Sequence, residues 1–225
     1  MTMERLRGVL IVSCQAPPGS PLREPVHMAA MAQAAMAGGA RGIRAEGAAD
    51  IEAITRAVEL PVIGLRKLSE AGTDVYITPT LESAREVVAA GAGVLAVDAT
   101  LRPRRDGTPP DEFIRRLKRE LDVPVLADVD TLEAGLRARA AGADAVASTL
   151  SGYTGLDPRP EGPDLDLVAA LAAGVDCPVV AEGRYASPEQ VRSAFAAGAF
   201  AVVVGTAITD PVALTQRLAA GTPRA

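Results

Sequence analysis

Short, continuously apolar runs recur along the chain, and between them lie longer alanine-rich segments whose charges fall at helical spacing. The runs are VLIVSC (9–14), GIRA (42–45), PVIGL (61–65), GVLAVDA (93–99), PVLADV (124–129), DAVAST (144–149), PVVAEG (178–183) and AVVVG (201–205). Runs that stay apolar, instead of alternating with polar residues, predict strands buried on both faces, the setting of a parallel sheet covered by helices. Strand and helix alternate throughout, so the pattern predicts βα units.

The segments that lead into the strands repeat as well. AGGARGIRA, AAGAGVLAVDA, AAGADAVAST and AAGAFAVVVG share an Ala-Gly pair, beginning at residues 37, 90, 141 and 197. Between them fall ELPVIGL, LDVPVLADV and VDCPVVAEG, where a proline opens the strand. Glycine supplies the left-handed stop of a helix, and proline is tolerated at a strand's first residue. A repeat of about 50 residues holding two βα units, met four times, gives eight strands. That arithmetic predicts a (β/α)8 TIM barrel, one domain spanning residues 1–225. An open doubly wound sheet fits less well, because no GxGxxG follows the first strand and the four-fold phrase implies closure. DVYITPT (74–80) resembles a further strand, but only a short loop separates it from PVIGLRK. It is read as an extension of the third βα loop, with a helix beginning near Leu81.

Composition narrows the functions available. Aromatic residues make up 3% of the chain, so the core is built from Ala, Val, Leu and Ile, which do not suit an aromatic-rich sandwich or a base-stacking surface. The net charge is −5 and the basic residues are scattered, which argues against nucleic acid or an acidic membrane as partner. A small anionic substrate remains compatible, since one local pocket outweighs the global sign. Cys14 and Cys177 fit neither a metal spacing nor a disulfide framework and are read as buried thiols. The apolar run near the first residues is too short for a signal peptide or a membrane span, so the cytoplasm is the expected location.

In such a barrel chemistry belongs at the C-terminal ends of the strands. There the chain offers Ser13, Cys14 and Gln15; Arg44 and Glu46; Arg66 and Lys67; Asp98 and Thr100; Asp128 and Asp130; Ser148, Thr149, Ser151 and Tyr153; Glu182 and Arg184; and Thr206. Any one of these alone reads more readily as a solvated loop residue, but their convergence from eight strands reverses that for the set and marks one end as the site. Lys67 and Glu182 form a natural acid–base pair, because desolvation lowers a lysine's proton affinity while a neighbouring carboxylate positions its amine. Asp98 and Asp128 read either as ligands for substrate hydroxyls or as caps on the loops that follow them. Gly183-Arg184 and Gly205-Thr206 occupy the last two βα loops, where barrels commonly hold phosphate on backbone N–H groups. ASPE (186–189) adds a helix start, with Ser187 as cap and Pro188 at the first position. The lone histidine, His27, lies in the first Ala/Met-rich helix and is read as structural, so neither a histidine triad nor a histidine-rich metal site is expected.

Together LIVSCQ, GIRAEG, PVIGLRK, ITPT, DATLRPRRDG, TLSGYT, AEGRY followed by SPEQ, and AVVVGTAIT resemble the N-acylglucosamine-6-phosphate 2-epimerases, from about residue 8 to 218. The resemblance implies epimerisation at C2, interconverting N-acetylmannosamine 6-phosphate and N-acetylglucosamine 6-phosphate in sialic-acid breakdown. It implies a small phosphorylated amino-sugar substrate, no cofactor and no metal. It implies Lys67 as the acid–base lysine and Glu182 as its carboxylate partner. It further implies Gln15, Arg44 and Asp128 around the sugar, and Gly183, Arg184, Gly205 and Thr206 around the phosphate. Two departures stand out. The family usually continues the lysine as Lys-Arg-Asp, whereas this chain reads Lys67-Leu68-Ser69, and Ile-Thr-Arg is replaced by Ile208-Thr209-Asp210. If the missing arginine meets phosphate, Asp210 is expected to repel it and to leave Arg184 with more of the load. Two other functions are compatible with the residues: a lyase in which Lys67 forms a Schiff base, and a sugar-phosphate-binding barrel without turnover. Helices rich in Ala and Gly also suit close packing of two subunits into a homodimer.

Overall fold

The structure, a computed structural model, describes residues 3–69, 71–155 and 161–223. After a short 3-10 turn (Met3–Leu6), strands and helices alternate: β1 (Leu10–Cys14), α1 (Pro25–Ala37), β2 (Gly42–Glu46), α2 (Ala48–Ala57), β3 (Val62–Leu65), α3 (Leu81–Ala89), β4 (Val94–Asp98) and α4 (Pro110–Glu120). The second half continues with β5 (Val125–Asp128), α5 (Leu132–Ala140), β6 (Ala145–Ala147), α6 (Leu165–Gly174), β7 (Val179–Glu182), α7 (Pro188–Ala196), β8 (Ala201–Val204), α8 (Thr206–Thr209) and α9 (Pro211–Ala219). The strands form one closed parallel barrel in sequence order, and β8 pairs back onto β1. This is the (β/α)8 fold that the eight apolar runs predict.

Apart from β2, whose inner face carries Gly42, Arg44 and Glu46, each strand carries two apolar faces. Ile11, Ile63, Leu65, Ala96, Leu126 and Val180 meet inside the barrel, while their neighbours Val12, Ile43, Val62, Val97, Ala127 and Ala181 pack under the helices. Burial on both sides is why the runs are continuous instead of alternating. The helix stops are glycines in the left-handed region: Gly39, Gly91, Gly142 and Gly198 have φ of 105, 99, 103 and 98°. In the first repeat this role falls to Gly39, the residue after the Ala-Gly pair, because Gly38 remains helical with φ −75°. Pro61, Pro124 and Pro178 directly precede β3, β5 and β7, and each carbonyl accepts from a neighbouring strand.

Residues 74–80 do extend the third loop. They fold back as an antiparallel bridge between Lys67 and Ile77, flanked by hydrogen bonds from Leu68 N–H to the Tyr76 carbonyl (3.0 Å) and from Thr78 N–H to the Arg66 carbonyl (2.6 Å). The helix α3 then begins at Leu81, with Thr80 as its cap. Cys14 is fully buried, whereas Cys177 is only half-buried, in the loop two residues before β7. His27 is exposed on α1. Among the described residues no helix is long and apolar enough to cross a membrane.

Candidate active site

Barrel geometry turns strand parity into a site. Counting by twos from the inward apolar residues reaches Ser13 on β1, Lys67 beyond β3, Asp98 on β4, Asp128 on β5, Thr149 beyond β6 and Glu182 on β7, and on β2, where Ile43 and Ala45 face the helices, the alternate residues Arg44 and Glu46 turn inward. Side chains two residues apart on a strand share a face, so these polar groups stand above the apolar filling of the barrel. Below them lie Ile63, Leu65, Ala96, Leu126 and Val180, all without solvent exposure.

Arg44 is the hub. Its guanidinium, 1% exposed, donates to Asp128 through Nη1 at 3.1 Å and Nη2 at 2.6 Å, and Nη1 lies 2.9 Å from Glu182 Oε2. The Thr149 hydroxyl sits between the two acids, 2.6 Å from Asp128 Oδ1 and 3.2 Å from Glu182 Oε2. Ser148 ties β6 to β7, its hydroxyl donating to the Glu182 carbonyl at 2.9 Å and accepting the Glu182 N–H at 3.1 Å. Three strands thereby fix the orientation of one carboxylate.

The charges are unequal in their comfort. Burial opposes the charge of Arg44, but Asp128 and then Glu182 outweigh it and hold the guanidinium protonated. Burial pushes the Glu182 carboxyl above its ordinary value, against the pull of Arg44. Lys67 moves the opposite way. Its side chain is reached by water through the open mouth, yet protein walls surround it, and this loss of solvent, followed by the charge of Arg44, lowers its proton affinity. Glu46, Glu182 and Asp128 partly restore it. A carboxyl driven up and an amine driven down in one pocket are the ingredients of proton exchange near neutral pH. Among the described residues no group hydrogen-bonds the Lys67 ammonium, which leaves it free to reach a substrate.

Other sequence-marked residues fall around this centre. Gln15 donates from Nε2 to the Ser13 hydroxyl at 2.8 Å, and its Oε1 is buried without a partner among the described residues. A buried acceptor left unpaired invites a donor. Asp98 takes its alternative role as a cap: it accepts from the Thr100 N–H (3.0 Å), the Thr100 hydroxyl (2.7 Å) and Arg102 (2.7 Å). Gly183 has φ 114° and Arg184, unusually for a non-glycine residue, φ 61°. The Arg184 side chain donates to the carbonyls of Gly162 and Ser151, both at 2.6 Å, and lies over the Tyr153 ring. It therefore anchors the connection between β6 and α6. Gly205 and Thr206 open α8, whose first amides precede any intrahelical acceptor. Ser187 caps α7 as the ASPE motif predicts. Asp210 accepts the Ala213 N–H at 2.9 Å and so caps α9, which directs its charge at a helix end.

Strand-end position alone does not single out Thr149, Glu46 and Tyr76. Inward parity marks the first two: Thr149 is two residues beyond inward Ala147, and Glu46 alternates with Ile43 and Ala45, which face the helices. Tyr76 rides on the 74–80 hairpin, packs against the inner cluster and feels the charges of Asp128 and Asp98. Among the described residues no group of His, Cys, Asp and Glu is arranged to hold a metal.

Residues 28–223 match the family model described as "Putative N-acetylmannosamine-6-phosphate epimerase". A relative from Cutibacterium acnes, named as a 2-epimerase of that kind, is 51% identical over 212 residues, covering 93% of this chain and 92% of its own. A like-named relative from Caldanaerobacter subterraneus subsp. tengcongensis is 47% identical over 216 residues, covering 96% and 91%. Among solved structures, the N-acetylmannosamine-6-phosphate 2-epimerase from Clostridium perfringens superposes with a TM-score of 0.92 at 37% identity, covering 96% of this chain and 94% of that one.

Proposed function

Because the chain belongs to the N-acetylmannosamine-6-phosphate epimerase family, we propose that its barrel mouth inverts C2 of N-acetylmannosamine 6-phosphate by removing a proton from one face and delivering a proton to the other, as part of amino-sugar breakdown. The observation that carries this reading is the convergence of Lys67 and Glu182 on one buried arginine: Arg44 Nη1 lies 2.9 Å from Glu182 Oε2, and the charges of Arg44 and Glu182 both act on Lys67.

The chemistry needs little else. A C2–H beside the aldehyde of the open-chain sugar is acidic once the enolate is stabilised. The Lys67 amine takes that proton, the C–H pair forms the C1–C2 double bond as the carbonyl π pair moves onto oxygen, and the enolate is held by fixed dipoles and charge. Return of a proton to the other face of C2 gives the gluco epimer. Lys67 follows β3 and Glu182 ends β7, four strands apart in a ring of eight, so the two proton carriers rise from opposite walls. That arrangement suits a reaction that exchanges the two faces of one carbon.

Gln15 is assigned to the sugar through its unpaired Oε1. Arg44 and Asp128 form the floor beneath it, with Asp128, fully buried, acting through Arg44 and Thr149. The phosphate is assigned to Gly183, Arg184, Gly205 and Thr206, supported by the free first amides of α8 and by the N–H groups Arg184 retains after its two carbonyl contacts. The same reading expects no cofactor, a cytoplasmic location and a homodimer. The last is supported by α9, which buries no residue and exposes Val212 and Leu218.

NMR of N-acetylmannosamine 6-phosphate with the protein in D2O tests the reaction. The expected result is deuterium at C2 together with the gluco product. Absence of exchange at abundant enzyme would overturn it.

A further inference from the structure

Glu46 is the last residue of β2, two positions beyond Arg44 on the same inward face, and is 9% exposed. Both oxygens of its carboxylate are engaged. Oε1 accepts the main-chain N–H of Lys67 at 3.2 Å and Arg66 Nη1 at 3.1 Å, while Oε2 accepts Arg23 Nη2 at 3.2 Å. Arg23 lies in the connection between β1 and α1, and its Nη1 donates to Asp50 on α2 at 2.8 Å. The following residue is fitted to this clamp: Gly47 has φ 85°, and a Cβ there would lie 3.2 Å from Arg66 Nη1.

The clamp matters because of where β3 stops. The strand ends at Leu65, so Lys67 stands beyond the barrel ladder. On one side the hairpin bonds Arg66 and Leu68 but not Lys67 itself, since the Lys67–Ile77 pair lies between those hydrogen bonds. The Lys67 N–H therefore points away from the hairpin, and Glu46 receives it.

We propose that Glu46 is a positioning residue for Lys67: it fixes the main chain from which the amine is presented and joins that segment, through Arg23, to the connection after β1. The inference rests on Lys67 being the acid–base group. Glu46 touches the backbone of that residue, and its role is geometric first. Its charge acts as well, because the groups facing Lys67 are Arg44, Glu46, Glu182 and Asp128, and Glu46 is one of the three that favour the protonated amine.

The test is the steady-state and pH-dependent kinetics of Glu46→Gln, Glu46→Ala and Lys67→Ala in the full chain. Gln keeps an Oε1 acceptor for the Lys67 N–H but loses the charge. Its kcat is expected within about threefold of the parent, with the pH limb that reports Lys67 moved to lower pH. Ala loses both, and kcat is expected to fall about tenfold to a hundredfold while KM stays within about threefold, as for a misplaced catalytic group. A Glu46→Ala enzyme with kcat within about twofold and an unmoved profile would overturn the proposal, as would a change in KM alone. Should Glu46→Ala not fold, the pH limb of Glu46→Gln decides: unmoved, it overturns the proposal. Undiminished turnover in Lys67→Ala would overturn the acid–base reading and this one with it. A dead Lys67→Ala beside a normal Glu46→Ala would overturn this one alone.

Discussion

Arg44 and Asp128, 84 residues apart in sequence, meet through two hydrogen bonds of 3.1 and 2.6 Å at positions that are 1% and 0% exposed. A buried ion pair of this kind is not a stability gain over apolar packing, but half of one is costly, because the remaining charge has lost its solvent and its partner. Here the guanidinium serves two acids, so its removal strands both Asp128 and Glu182.

Arg44→Met is therefore expected to destabilise the fold by about 3–5 kcal/mol. Arg44→Lys should cost less, keeping the charge but not the two-pronged geometry. Urea denaturation of the three proteins checks this, and a Met variant within about 1 kcal/mol of the parent would show that the hub is dispensable.

For the proton carriers the expectation concerns rate. Lys67→Ala and Glu182→Ala should each lower kcat by at least ~10²-fold, the low end for acid–base groups. Borohydride added with substrate should leave Lys67 unmodified, since proton transfer forms no imine. A covalent adduct on Lys67 would replace the epimerase chemistry with that of a Schiff-base lyase, and near-normal turnover in both variants would move the chemistry elsewhere.

Glu182 also leaves a signature in stability. Its native carboxyl holds a proton to higher pH than the unfolded chain does, with burial as the main cause. From its ordinary value of 4.5 up to its raised native value, the native state thus binds more protons, and its contribution to stability falls as pH rises. Glu182→Gln removes this contribution. The stability of the parent relative to that variant should be greatest at the acidic end of the interval and decline upward, measured as urea midpoints at several pH values. A flat difference would mean that Arg44 cancels the burial.

The barrel was legible from sequence because its grammar is local. Buried parallel strands are unbroken apolar runs, and Gly91, Gly142 and Gly198 sit at their helix ends for a conformational reason any side chain would oppose. The mouth was legible as a list of strand ends, among them Lys67 and Glu182. Pairing within that list was not, because it depends on which strands lie across the ring. Arg44 could be placed on β2 but not against Asp128, and Asp98 could not be told from Asp128 until the loop carrying Thr100 and Arg102 closed over it. Arg184 was harder still. Its carbonyl contacts depend on the path of a connection with no repeating pattern, and on a left-handed φ of 61° that an arginine does not advertise.

Asp210 shows how a local departure is absorbed. A carboxylate near a phosphate loop would weaken substrate binding if it faced the anion, yet its Oδ1 accepts the Ala213 N–H and spends its charge on the first turn of α9. A helix N-terminus stabilises such a carboxylate, and its loss costs about 0.5–2 kcal/mol. Asp210→Ala is thus expected to lower stability by about 1 kcal/mol, while KM for N-acetylmannosamine 6-phosphate stays within about twofold of the parent. Asp210→Asn, which keeps an acceptor at the cap, should recover most of the stability. Repulsion makes the opposite forecast: neutralising the residue would tighten substrate binding whether or not the cap survives. A KM that falls severalfold in both variants would assign Asp210 to the phosphate after all, and an unchanged KM with a lost cap assigns it to the helix.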